Sequence, residues 1–302
     1  MTDSNNAAVQ ALDGLAQAML GSVQPLIDAQ IAKEIEAQKA KIGVRKHEIV
    51  INGEVRAEIK GKLHPAFDKV LKLVSAGLHP LLIGPAGCGK TKLAADIAKA
   101  LKISFSSISG SAGASESQLI WRLMPTGEGG RFEYHRSPFV KQYEEGGAFL
   151  FDEMDAFDPN MVLVVNQALS NGGFFVEARH EKPFVKRHET SILIGAANTW
   201  GNGADMIYVG RNQLDGSTLD RFYPVFMDYD RDIEAEYAPS NVCNWVWSIR
   251  EKASQARLRR IISTRMIQKM RAAIDAGISF SEAKADLLNG WSKDELAKIG
   301  EA

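Results

Sequence analysis

The chain has 302 residues, of which 45% are hydrophobic and 24% charged, and its formal net charge is −1. This balance argues against a protein that coats nucleic acid through its overall charge, although a local basic patch stays possible. No apolar run approaches the roughly 18 residues that a membrane span requires, and the N-terminus lacks the basic and apolar regions of a signal peptide. We therefore expect a cytoplasmic protein in which Cys88 is reduced.

Residues 1–45 are predicted to form an N-terminal helical segment. Apolar side chains recur at three- and four-residue spacing from Leu12 to Ile31, and a highly charged stretch follows them. Such a helix would either dock a partner or a neighbouring subunit, or pack against its own domain, and the pattern leaves both open. Alternating apolar residues then flank Asn52-Gly53, which predicts a β-hairpin over residues 47–60.

Residues 46–228 are predicted to form an α/β domain, because strand and helix patterns alternate along them. Such alternation is typical of a parallel sheet covered by helices on both faces. The predicted strands cover residues 81–84, 103–108, 148–151, 192–196 and 222–227, and one predicted helix covers 160–170. Residues 229–302 are predicted to form a small helical domain, with helices at 233–237, 242–256, 264–276 and 281–288.

The segment from Gly84 to Thr91 reads GPAGCGKT and matches the phosphate-binding loop pattern G-x-x-x-x-G-K-[ST] between a strand and a helix. Its glycines let backbone N–H groups point at phosphate oxygens, and the helix N-terminus adds its dipole. Lys90 would reach the β- and γ-phosphates, and the Thr91 hydroxyl would ligate Mg²⁺. The predicted nucleotide-binding residues of this loop are Gly84, Pro85, Ala86, Gly87, Cys88, Gly89, Lys90, Thr91 and Lys92.

Two further predicted strands end in polar side chains. Asp152 and Glu153 follow a wholly apolar strand, where one carboxylate can hold Mg²⁺ and the next can polarise an attacking water. We assign these roles to Asp152 and Glu153 respectively, and together with the phosphate loop they predict ATP hydrolysis. Asn198 follows a strand that we place between the other two, where its amide could orient water; an ordinary turn residue is the alternative.

Five stretches in order resemble an AAA+ ATPase and, within that superfamily, the MoxR-type branch and the CobS-type ATPase subunits of cobaltochelatase. They read GPAGCGKT, FLFDEMDAFDP, ILIGAANTW, YVGRNQLDGSTLDRF and IISTRM, and the resemblance spans roughly His64 to the region after Arg265. The resemblance implies a P-loop NTPase domain with a parallel five-stranded sheet, a C-terminal helical lid and a ring, usually a hexamer, with ATP at subunit interfaces.

The same resemblance implies roles for three further residues. Asn198 matches sensor 1, Arg221 matches the arginine finger that reaches the next subunit's nucleotide, and Arg265 matches the sensor 2 arginine of the lid. A surface ion pair with Asp220 is the alternative for Arg221. Other arginines in the same region are also candidates for the sensor 2 role given to Arg265: Arg257, Arg259, Arg260 and Arg271.

Two segments resemble the hairpins that face the pore or the substrate in relatives, although ordinary surface loops would carry the same residues. They cover residues 127–134 and 174–187. The stretch from Tyr208 to Arg211 is closer to the CobS pattern than to the usual MoxR one, and Arg211 could be a second interfacial arginine.

The favoured function is an ATP-driven motor, with ATP and Mg²⁺ as cofactors, that remodels a protein partner. In related systems this partner often carries a von Willebrand factor A domain, and it would be a separate chain here. The alternatives are a nucleic-acid or restriction-type NTPase motor and a nucleotide-gated assembly scaffold. A basic stretch could contact nucleic-acid phosphates: Arg250, Lys252, Arg257, Arg259, Arg260, Arg265, Lys269 and Arg271.

Overall fold

In the computed structural model, the described residues are 46–51, 54–111, 116–125, 132–176, 179, 182–204, 207–208 and 210–301. The helix predicted over residues 1–45 lies outside them. The first described element is an antiparallel hairpin of β1 (Lys46–Ile51) and β2 (Glu54–Lys60), which confirms the predicted hairpin. Its pairing register shifts between Ile49 and Val50, as at a β-bulge.

The remaining elements follow in chain order. They are α1 (Phe67–Ser75), β3 (Pro80–Ile83), α2 (Lys90–Ala100), β4 (Phe105–Ser109), α3 (Glu116–Ile120), β5 (Trp121–Pro125), β6 (Phe132–Arg136), α4 (Pro138–Glu145), β7 (Gly147–Asp152), α5 (Pro159–Ser170), β8 (Gly173–Phe175), β9 (Phe184–Lys186), β10 (Ser191–Ala197), α6 (Gly216–Asp220), β11 (Tyr223–Phe226), α7 (Arg231–Glu234), α8 (Ser240–Gln255), α9 (Thr264–Asp275), α10 (Phe280–Leu287) and α11 (Lys293–Ile299). A 3-10 turn, Met154–Ala156, follows β7.

Five parallel strands form the central sheet in the order β11-β3-β10-β7-β4. Successive side chains along a strand point to opposite faces, so Leu81 and Phe149 join one buried cluster while Leu82 and Leu150 join the other. Burial of each such side chain contributes about 1.5–3 kcal/mol. Because both faces are covered, the three inner strands β3, β10 and β7 are almost wholly buried, as predicted for a P-loop NTPase-like α/β fold.

Local chemistry explains where several elements begin. Ser137 and Asp158 each accept a backbone hydrogen bond at a helix N-terminus, and a proline follows each of them at the first helical position. The strand predicted from residue 103 begins later, at Phe105, because Lys102 adopts a left-handed φ of 55° and Ile103 N–H still bonds to Ala98 at the end of α2. In place of the helix predicted over 233–237, the structure has α7 at Arg231–Glu234, which begins earlier because the Asp230 side chain caps its N-terminus.

One of the two segments predicted as hairpins pairs differently from expectation. Of residues 127–134, the described part belongs to β6, which pairs with β5, a strand that the sequence pattern did not indicate. The segment 174–187 contributes β9 and most of β8, which pair antiparallel. Both predictions therefore identified the correct neighbourhood but set the limits of the first hairpin too narrowly.

The C-terminal helices α8–α11 surround a hydrophobic cluster of their own, which includes Val246, Ile267 and Ile299. Helix α11 was not predicted, although Ser292 and Glu295 form a capping box at its start. Among the described residues, no helix is both long and apolar enough to cross a bilayer.

Candidate functional site

The candidate site lies where three neighbouring strands of the sheet end. The phosphate loop follows β3, Asp152 ends β7, and Asn198 follows β10. The order β3-β10-β7 confirms that the Asn198 strand lies between the other two. Because the carboxyl ends of parallel strands meet at one edge, three segments that are distant in sequence converge there.

Two glycines of the phosphate loop are required by its backbone. Gly89, which caps α2, has a φ of 101°, a conformation that side-chain-bearing residues rarely adopt. Gly87 has a φ of 79°, and a Cβ atom there would lie 2.8 Å from the Ser263 Cβ. The loop thus turns tightly at Gly89 and approaches the C-terminal helices closely at Gly87.

Lys90 is almost fully buried, with 6% of its surface exposed. Its Nζ donates hydrogen bonds to the Gly84 carbonyl (2.7 Å), the Pro85 carbonyl (3.0 Å) and Asn198 Oδ1 (2.9 Å). Burial lowers the pKa of Lys90, and neighbouring acidic groups, including Asp152, counter only part of that effect. The ammonium group is therefore held at the point where the phosphate loop and β10 meet.

The residues present fit a magnesium–nucleotide site. Thr91 Oγ1 donates to Asp152 Oδ2 at 2.7 Å, so that a hydroxyl and a carboxylate oxygen face the same point. Hard oxygen ligands of this kind suit Mg²⁺, which usually takes one or two protein carboxylates together with substrate phosphates. Burial raises the pKa of the neighbouring Cys88 thiol, and Cys88 is a free cysteine.

Glu153 occupies an uncommon backbone conformation, with φ 53° and ψ 45°, and its N–H donates to Asp152 Oδ1 at 3.0 Å. Left-handed backbone at a residue other than glycine costs of order 1–3 kcal/mol and is concentrated at functional sites. The Glu153 side chain remains 39% exposed. Both acids line the same cleft.

Asp155 is a functional candidate that the sequence reasoning missed. Its side chain is completely buried, and Oδ2 accepts hydrogen bonds from Asn198 N–H (3.1 Å), Thr199 N–H (3.0 Å) and the Thr199 hydroxyl (3.0 Å). This carboxylate joins the loop after β7 to the loop after β10 and orients the backbone of Asn198. No local motif marks it, because its partners lie more than forty positions away.

Arg211 lies beside the same acids. Its guanidinium nitrogens come within 3.5 Å of Glu153 and 3.7 Å of Asp155, and the side chain is 14% exposed. The segment that carries it also contacts the phosphate loop, because Ala86 N–H donates to the Tyr208 hydroxyl at 2.8 Å. Arg211, considered from sequence as a second interfacial arginine, here faces two carboxylates of its own chain.

A cleft of about 280 Å³ opens over these groups and extends to the C-terminal helices. Predicted site residues that line it are Ala86, Gly87, Cys88, Gly89, Lys90, Thr91, Lys92, Asp152, Glu153, Asn198 and Arg265. The sequence reasoning missed other lining residues that belong to no local motif: Lys62, His64, Ile233, Glu234, Tyr237, Thr264 and Gln268. Gly84 and Pro85 do not line the cleft; their carbonyls hold Lys90 instead.

The two predicted arginines differ in position. Arg265 is exposed and lines the cleft, and its side chain makes no hydrogen bond or ion pair with the residues that the structure describes. Arg221 is also exposed but lies outside the cleft, where its Nε donates to Ser170 Oγ at 2.5 Å and its NH1 donates to the Ser217 carbonyl. The structure thus brings Arg265 to the other predicted site residues and leaves Arg221 apart from them.

Residues 79–222 match the family model described as the AAA domain (dynein-related subfamily). The match supports an AAA+ ATPase. It covers the phosphate loop, both acids of the β7 turn, Asn198 and Arg221, and it ends before Arg265. It does not distinguish the MoxR-type branch from the CobS-type branch.

Two individual proteins are also similar. An uncharacterized protein of Staphylococcus epidermidis is 25% identical over 189 residues, which are 59% of this chain and 66% of the relative, so the chain spans just under two thirds of that relative's length. The crystal structure of a "putative ATPase" from Cytophaga hutchinsonii is 15% identical, with 75% of this chain and 81% of that chain covered and a TM-score of 0.43. A likeness at this TM-score does not establish the fold. The strand order of the central sheet and the phosphate loop establish it instead.

Proposed function

We propose that this chain binds ATP in the cleft at the carboxyl edge of the sheet and hydrolyses it. The observation that carries the proposal is the convergence of Lys90, the Thr91–Asp152 pair, Glu153 and Asn198 at the ends of three adjacent strands. A buried lysine, a hydroxyl–carboxylate pair and a separate carboxylate are the groups that phosphoryl transfer to water requires.

Each group has a proposed task. The phosphate loop and Lys90 bind the phosphates, while Thr91 and Asp152 would hold Mg²⁺, which when bound neutralises charge on the phosphate oxygens. Glu153 accepts a proton from the attacking water, and the Asn198 amide orients that water. Arg265, on the opposite wall of the cleft, binds the terminal phosphate.

We further propose that the protein acts as a ring, in the hexameric form implied by the family resemblance. Arg221 is exposed and lies outside its own cleft, which supports a role at the nucleotide of a neighbouring subunit. In this proposal residues 46–228 are the ATPase domain, 229–302 the lid and 1–45 a separate N-terminal segment. ATP-dependent movement between lid and ATPase domain would do the mechanical work.

The proposed substrate is a protein partner in the cytoplasm, of the kind that MoxR-type and CobS-type motors remodel, such as a separate chain with a von Willebrand factor A domain. Ion pairing of the basic stretch supports this choice over a nucleic-acid motor. Three of its arginines pair with acids of the same chain: Arg250 with Glu234, Arg260 with Glu295, and Arg271 with Asp275. Their charges are therefore already compensated within the fold.

The test is ATP hydrolysis per subunit as a function of protein concentration, with the mass of the particle measured with and without ATP. We expect turnover to rise cooperatively as a ring forms. Lys90→Ala should lose nucleotide affinity, because it removes the cation that meets the phosphates. Unchanged ATP binding by Lys90→Ala would contradict the site, and full activity in a persistent monomer would contradict the ring.

A further inference from the structure

Glu234, at the end of α7, is a buried carboxylate to which the proposed hydrolysis assigns no task. Only 1% of its surface is exposed, and it accepts four hydrogen bonds from three side chains. Arg250 donates through both terminal nitrogens (2.9 and 2.7 Å), Trp247 through Nε1 (2.6 Å) and Thr264 through its hydroxyl (2.7 Å). A fully satisfied buried network of this kind holds its members in one arrangement.

The Thr264 contact fixes the start of a helix at the cleft. Thr264 is the first residue of α9, and the next residue is Arg265, which faces the cleft. On the other side of Thr264, Ser263 packs against Gly87 so closely that a Cβ on the glycine would lie 2.8 Å from the Ser263 Cβ. The height of α9 above the phosphate loop therefore depends on the anchor that Glu234 provides.

A second route connects Glu234 to the phosphate loop. The guanidinium of Arg250 lies over the Tyr229 ring, 3.9 Å from its centroid. The Tyr229 hydroxyl in turn donates to the Ala86 carbonyl at 2.9 Å. The carboxylate is thus linked to the loop through Arg250 and Tyr229 and to Arg265 through Thr264.

The ionisation of Glu234 is consistent with this arrangement. Burial by itself would raise the pKa of this carboxyl, but the hydrogen bonds from Arg250, Thr264 and Trp247 hold it below the ordinary value. The charged carboxylate and the Arg250 guanidinium consequently compensate each other in the interior.

We propose that Glu234 is a positioning residue that sets Arg265 at the height of the terminal phosphate and so determines the preference for ATP over ADP. The inference rests on the proposed function, since it requires a nucleotide in the cleft. The Arg265 side chain has no hydrogen bond or ion pair of its own to any described residue, so the start of α9 sets its location. A guanidinium that meets only the terminal phosphate distinguishes ATP from ADP, whereas the rest of the cleft binds both.

The experiment compares the full-length protein with Glu234→Gln, Arg265→Ala and their double variant. Dissociation constants for Mg-ATPγS and Mg-ADP are measured by calorimetry, and kcat and KM for ATP are measured alongside. We expect Glu234→Gln to weaken ATPγS binding about tenfold, the effect of losing one charge-assisted hydrogen bond, with ADP binding changed less than about twofold. In the double variant, the ratio of ATPγS affinity to ADP affinity should equal the ratio measured for Arg265→Ala alone.

Glu295→Gln is the matched control. Glu295 also receives two nitrogens of one arginine, Arg260, and belongs to the same helical region, but it does not line the cleft. Its substitution should leave the ratio of ATPγS to ADP affinity unchanged. Thr264→Val removes only one hydroxyl from the network and should lower that ratio about threefold, which provides a second reading if Glu234→Gln fails to fold.

The outcomes separate the two proposals. If the wild-type protein binds neither nucleotide, the proposed function is wrong and this inference falls with it. If the wild type binds both and Arg265→Ala lowers the ratio, while Thr264→Val and any folded Glu234→Gln leave it unchanged, only the inference is wrong. Equal weakening of ATPγS and ADP binding by these variants would also overturn it, because a merely structural role predicts that result.

Discussion

A basic side chain lies at least partly buried at each edge of the five-stranded sheet, Lys90 at the carboxyl edge and Arg187 at the amino edge. The two side chains have different neighbours. At the carboxyl edge, Lys90 donates to three acceptors and has acidic groups nearby. At the amino edge, Arg187 reaches His79 Nε2 at 3.1 Å and the Ser191 carbonyl at 2.8 Å, with no carboxylate oxygen within 4.0 Å among the described residues.

The difference shows what each edge can do. Loops leave the carboxyl edge, and there opposite charges and hydrogen-bond donors face an open cleft. At the amino edge the Arg187 cation faces a histidine that burial and this same charge keep neutral, so the groups there affect stability through pH. We therefore expect substitutions at the carboxyl edge to reduce turnover and a substitution at His79 to change stability.

Substitution of Arg221 should have the largest effect on turnover. It also tests the division between a catalytic carboxyl edge and a structural amino edge most severely, because Arg221 lies just before β11, on the amino-edge side of the sheet. Arg221→Ala should bind ATP normally yet lose about 10³–10⁵ in turnover, the range known for arginine fingers. Steady-state hydrolysis and nucleotide titration measure the two properties. Mixing this variant with Lys90→Ala should restore part of the activity if the arginine acts across subunits; no recovery despite subunit exchange would contradict that role.

Glu153→Gln should give the next largest effect. The amide keeps the size of the side chain but cannot accept the proton of the attacking water, so turnover should fall about 10²–10⁴-fold. ATP binding and assembly should persist, as calorimetry and mass measurement would show. Near-normal turnover would remove Glu153 from the base role and weaken the assignment of catalysis to the carboxyl edge.

His79 should make the protein less stable as the pH falls. Burial first, and the Arg187 charge second, lower its pKa from 6.5 to about 4, so between these values the unfolded chain binds more protons than the folded one. Stability should therefore decrease from pH 7.5 to pH 5 by about 2 kcal/mol from this group. Denaturant unfolding of wild type and His79→Gln measures it; an unchanged pH slope in the variant would refute this account.

Arg271→Ala should have the smallest effect on stability and turnover, and it serves as the reference for the substitutions at both edges of the sheet. Arg271 and Asp275 form an exposed pair four residues apart on α9, at 2.7 Å. Such pairs contribute about 0.3–0.5 kcal/mol, and turnover should not change. A thermal melt and an ATPase assay suffice, and a loss of activity here would reopen the possibility that the basic stretch binds a ligand.

Sequence reasoning located most of the sheet and the polar groups at its carboxyl edge, but it erred where local patterns were weak. The strand at Phe105 begins later than predicted, because the end of α2 extends through the left-handed Lys102. Strand β5 was missed, since its partner β6 supplies the pairing that makes it a strand. Short elements whose partners lie elsewhere carry too few residues for a periodic signal.

The sequence by itself determined the phosphate loop, Asp152 and Glu153, and Asn198, because each follows directly on an apolar strand whose pattern predicts its position. Only the tertiary structure decided four sets of contacts: the hydrogen bonds of buried Asp155, the position of Arg211 beside Glu153, the hydrogen-bond network of Glu234, and the pairing of His79 with Arg187. These contacts join residues that lie between 13 and 108 positions apart in the chain. Buried charges find partners through packing in three dimensions, and packing leaves no fixed spacing in the sequence.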